Sequence, residues 1–82
     1  MRPICASCST FMRCAKNGVP VEVLSDGEPY QLWHGDRYAC PKCKHEVIAG
    51  FPRLPISESY RPEYTGVVSR EEQYGPIVRV EG

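Results

Sequence analysis

Two Cys-x-x-Cys pairs, Cys5 with Cys8 and Cys40 with Cys43, constrain this chain more than any other feature. Each pair holds two thiols one tight turn apart. Two such turns brought together supply the four soft ligands of a closed tetrahedral zinc centre. A centre with four protein ligands keeps no open position for water or substrate, so the spacing predicts structural Zn2+ rather than metal catalysis. The same four thiolates also suit a single iron ion, so the ligand set is better defined than the metal. Thirty-one residues, 9–39, separate the pairs. That exceeds the usual spacing of roughly 15–20, and an inserted hairpin accounts for the surplus without moving the ligands.

A chain of 82 residues buries a modest fraction of its surface and needs a staple. Structural zinc contributes on the order of 10 kcal/mol of apparent binding free energy, as much as the whole net stability of many small domains. Ten basic and ten acidic residues cancel, and the pI is about 6.7. No global positive field recruits nucleic acid or an anionic membrane, so any such contact is local. Met1 to Ala15 contains no apolar run of signal-peptide or membrane-span length. Five cysteines is an odd number, suiting four ligands and one free thiol better than a disulfide framework. Together these predict a cytoplasmic protein with no membrane contact.

The expected fold is a small mainly-β zinc ribbon, antiparallel hairpins on two Cys-x-x-Cys knuckles, with an extended C-terminal arm. Thr10 to Lys16 reads as a strand ended by Asn17-Gly18, a strong hairpin signal. Val19, Val21 and Val23 alternate with Pro20 and Glu22, giving a strand in which Pro20 favours an edge or an early position. Ser25 to Pro29 is a turn, Tyr30 to Trp33 a strand, His34-Gly35-Asp36 another turn. Arg37 to Cys40 then enters the second knuckle and Glu46 to Phe51 leaves it. Prolines mark a boundary after Phe51, dividing residues 1–51, the ribbon, from residues 52–82, the arm. Arg53 to Gly66 reads as extended. Ser69 to Glu72 fits a capping box for a helix of about one turn, stopped by Gly75-Pro76. Ile77 to Val80 is a final strand that pairs with the ribbon or with a partner's open edge.

Other reactive residues carry weaker expectations. Cys14 lies inside the first strand and reads as an inert, at least half-buried core thiol. His34 and His45 are not needed as ligands beside four well-spaced cysteines. Arg37, Lys42, Lys44, Trp33 and Tyr38 form the best nucleic-acid hint, since aromatic rings stack on bases and basic groups hold phosphates. The competing reading puts the aromatics in the small core and the charges on a solvated face. A thiol-redox role needs a helix N-terminus at a Cys-x-x-Cys pair, and neither pair precedes a helical pattern. No nucleophile with a base, carboxylate pair or phosphate loop has motif support, so the chain reads as a non-enzyme with no small-molecule substrate.

Cys5-Ala6-Ser7-Cys8, Tyr30-Gln31-Leu32-Trp33, Asp36 to Cys43 and Ile48-Ala49-Gly50-Phe51 together resemble small zinc-ribbon proteins of bacteriophages and prophages. The likeness covers about the first fifty residues. It implies the ribbon fold, the metal and a phage-related origin, but no activity. Lys44 stands where glycine often follows the second knuckle, so a left-handed backbone there is strained. The leading expectation is a structural-zinc module that binds a protein partner through its hairpins and arm, with a host factor as target in a phage setting. A nucleic-acid-binding ribbon and a thiol-redox protein are the alternatives.

Overall fold

The computed structural model describes residues 2–82. Its axis is one long hairpin, β3 (Arg13–Ser25) and β4 (Glu28–Ala39). The two residues between them, Asp26 and Gly27, have φ of 52° and 79°. Positive φ at both positions is what a two-residue turn matched to strand twist requires. Two small hairpins sit at the opposite end. β1 (Ile4–Cys5) pairs with β2 (Thr10–Phe11) around the first knuckle, and β4 pairs with β5 (Glu46–Ala49) around the second. The architecture is mainly-β, built of antiparallel hairpins with the four cysteines gathered, and it is that of a zinc ribbon.

Two expected turns lie inside strands. Asn17-Gly18 does not close a hairpin, because both of its flanks pair with β4: Lys16 opposite Arg37, Val19 opposite Gly35. The extra residue forms a bulge, with Gly18 at φ 70° and its N–H donated to the Asp36 carboxylate at 3.2 Å. His34-Gly35-Asp36 likewise runs straight through the middle of β4. Gly35 is there for space: a Cβ would lie 2.7 Å from Phe51 and 2.8 Å from Ile48.

Residues past Phe51 return to the hairpin. β6 (Ser57–Glu58) pairs with β4 at Gln31 and Leu32, α1 (Tyr64–Glu72) follows, and β7 (Val78–Glu81) lies parallel to β3 along Val21–Leu24. The main strand order is β5-β4-β3-β7. Pro20 sits one residue before the β7 pairing begins, where its missing N–H deprives no ladder partner. The helix does not start from a Ser69 capping box. It begins five residues earlier, Ser69 lies within it, and Glu63 at its N-cap makes no side-chain cap bond. A tertiary contact fixes the first turn instead, because Tyr64 is buried and its hydroxyl donates to Glu22. The helix ends before Gly75-Pro76, as the sequence signals.

The core is small. Met12, Leu32 and Cys40 are its most enclosed side chains, joined by Cys5, Val19, Val21, Tyr64 and Ile77. Glu22 is buried too, at 4% exposure. The alternation Val19-Pro20-Val21-Glu22-Val23 therefore hides its polar face beneath Tyr64 and Arg79, while Val21 and Val23 border an open groove. Among the described residues, no helix is long and apolar enough to cross a membrane.

Candidate metal centre

The knuckles are built alike. In each, a hairpin brings two strands together and the Cys-x-x-Cys turn closes it, Cys5 opposite Thr10 in one and Ala39 opposite Glu46 in the other. Each is followed by a residue with a left-handed backbone, Ser9 at φ 51° and Lys44 at φ 68°. Lysine occupies that region at a cost of about 1–2 kcal/mol. The turn tolerates it because Lys44 N–H donates to Cys40 O at 3.0 Å and Cys40 N–H to His45 O at 2.9 Å. Thr10 Oγ1 donates to Cys8 O at 3.0 Å and ties the first knuckle in a similar way.

The folding brings all four sulfurs within 4.8 Å of one another. Cys5 Sγ and Cys43 Sγ are 3.7 Å apart. Four thiolates about 2.3 Å from a central zinc ion stand about 3.8 Å from each other in a tetrahedron, so the donor set fits such an ion. An iron ion takes the same four-sulfur geometry. Cys5 and Cys40 are buried, Cys8 is half-buried and Cys43 is exposed. Lys42 N–H and Cys43 N–H both point at Cys40 Sγ, at 3.4 and 3.5 Å. These donors stabilise a thiolate. The Cys40 thiol is accordingly drawn down to about 6, first by the Cys43 N–H and then, against the effect of burial, by that of Lys42. Cys8 is pushed up to about 12 by its hydrogen bonds to the Cys43 and Cys40 sulfurs. A metal ion bound by the four sulfurs would displace the protons they hold.

Neither histidine joins the sulfurs. His34 Nε2 meets the Glu71 carboxylate of α1 at 2.9 Å, and exposed His45 contributes its backbone carbonyl. Cys14 is exposed, contrary to the expectation of a core thiol, and donates to Asn17 Oδ1 at 3.1 Å. The β7 pairing covers only Val21 to Leu24 of β3, and Cys14 lies well ahead of it. The sole helix among the described residues follows neither Cys-x-x-Cys pair, so no helix end activates a thiol.

The five residues of the nucleic-acid alternative lie along β4 and the second knuckle. Trp33 stands edge-on to Phe51 with ring centroids 6.3 Å apart, Tyr38 packs against the cysteine cluster, and Arg37 faces Glu46 at 3.4 Å. Lys44 Nζ folds back to Pro41 O at 3.5 Å, and Lys42 is exposed on the second knuckle.

Two features lie beyond what the sequence predicts. One is the buried Glu22 carboxylate, which accepts from Tyr64 Oη at 2.6 Å and Arg79 Nε at 3.0 Å. The other is an apolar groove of about 400 Å³ on the opposite sheet face, lined by Val21, Val23, Trp33, Phe51, Pro52 and Val80. Fold and site together define a small mainly-β ribbon with a four-cysteine metal-binding site. No protein-family model, curated protein or solved structure matches the chain.

Proposed function

We propose that the chain is a non-enzymatic module, with one structural zinc ion in the Cys5, Cys8, Cys40, Cys43 site, that binds a protein partner through its apolar groove. Zinc is favoured by the closed set of four thiolates, which serves a fold rather than a reaction. The groove carries the partner reading: Phe51 and Val80 are 46% and 41% exposed on it, and apolar surface left open beside an economical core marks interaction sites. Four thiols suited to a metal ion and an unpaired Cys14 support a reducing compartment, the cytoplasm. The resemblance to phage ribbons supports a phage setting, with a host protein as partner.

The test uses tagged, metal-loaded protein and its Phe51→Asp variant in a pull-down from host lysate, followed by direct binding to the purified candidate. A partner retained by wild type and lost by F51D, at unchanged zinc content, supports the reading. Recovery of nuclease-sensitive nucleic acid without a specific protein overturns it in favour of the nucleic-acid ribbon.

A further inference from the structure

We propose that β7 is a self-complementary edge through which two copies of this chain pair about a two-fold axis at Val80. The inference goes beyond the groove reading and does not rest on it. β7 is the outermost strand on its side of the sheet, and all of its residues are exposed. Gly82 N–H donates to Leu24 O at 2.9 Å. By strand alternation, Val78 and Val80 then direct their backbone groups at β3, and Arg79 and Glu81 direct theirs outward. The edge thus offers two residues with N–H and C=O turned to solvent, with neither proline nor lysine to block approach.

An antiparallel partner must set outward residues against outward residues. An axis at Arg79 places arginine against arginine, and an axis at Glu81 places glutamate against glutamate. The axis at Val80 alone uses both outward residues, matching each Arg79 to the Glu81 of the second copy. Each pair exchanges both N–H···O bonds and sets opposite charges across from each other, where like charges would repel. Val80 meets its own counterpart in the closely spaced, non-hydrogen-bonded position on the groove face. The formal net charge of zero opposes no approach at long range.

So short an edge buries less than the roughly 1,200 Å² of a stable interface, so the association is weak and reversible. Sedimentation equilibrium of the zinc-loaded protein should show the mass rising from 9.2 kDa toward twice that value. The rise should fall between about 10 and about 500 µM, the range that a weak interface populates. Val80→Lys sets lysine against lysine and Glu81→Arg sets arginine against Arg79, and neither side chain is in the core. Each should raise the dissociation constant at least tenfold at unchanged zinc content and circular dichroism. A wild type of constant 9.2 kDa mass overturns the proposal, as does a dimer that both variants leave intact. Either failure spares the groove reading, which stands or falls with F51D at a residue outside β7.

Discussion

The two ends of the β3–β4 hairpin are held by unlike devices. At the knuckle end, four sulfurs from two small hairpins converge within 4.8 Å, and little but Met12, Tyr38 and Val47 packs around them. At the turn end, a buried carboxylate, Glu22, collects a phenol from α1 and a guanidinium from β7, binding residues 64 and 79 to the hairpin. The first device depends on an external ion and acts all or none, because four sulfurs without a metal share no common centre to bind. The second is internal and graded, since each donor can be removed singly. A chain with few buried side chains gains order at one end from metal and at the other from a satisfied polar network, where a larger protein would use apolar volume.

Removing the metal is the strongest way to break the comparison. Chelation withdraws on the order of 10 kcal/mol and should unfold the chain as one unit, because both ends share β3 and β4. Hydrogen exchange checks this: amides of Val21 to Leu24 that stay protected in chelator would show the turn end folding alone. Acid acts on the same end. Cys40 has a folded pKa of about 6, below its ordinary 9.0. A group so depressed contributes stability at higher pH that is lost as pH falls through the folded value. Apparent zinc affinity should therefore decline on acidification, with protons and metal competing for one sulfur set. A zinc-indicator titration flat down to pH 4 would contradict it.

The turn end should respond more modestly. Tyr64→Phe leaves the buried Glu22 carboxylate short of one donor, at a cost of about 1–3 kcal/mol in denaturant unfolding. The Tyr64 phenol is itself held above its usual range by burial and by the Glu22 carboxylate. A raised pKa gives stability that is complete below the unfolded value near 10 and lost as pH rises beyond it, so wild type should weaken in alkali and Y64F should not. The smallest effect belongs to Lys44. Lys44→Gly relieves a left-handed backbone and should stabilise the metal-loaded protein by about 0.5–1 kcal/mol, read as a higher unfolding midpoint.

Knuckle chemistry is local, and it was legible: ligand spacing and the hairpins that carry it follow from residues within a few positions of each cysteine. Lys44 was also legible, because a residue just past the knuckle inherits the turn's backbone. What failed was anything decided between distant segments. Asn17-Gly18 has the composition of a hairpin turn, but Asp26-Gly27 offers the same chemistry and the β4 pairing selects it. Alternation in Val19 to Val23 separates a polar face from an apolar one without revealing which is covered. Only the arrival of Tyr64 and Arg79 makes Glu22 the buried side. Tyr64 likewise starts α1 by docking, which a capping pattern at Ser69 cannot anticipate.

The parallel pairing of β7 with β3 has a consequence in time. Glu81 accepts from Gly27 across 54 residues of chain, and Arg79 reaches Glu22 across 57. During synthesis, both knuckles can close once β5 has emerged, while β7 follows roughly 30 residues later, about 2–6 s at common elongation rates. For that interval Glu22 and the flank of β3 await their own strand. Neighbouring copies offer the same β7 sequence, so intermolecular exchange of this strand is one misassembly open to the protein.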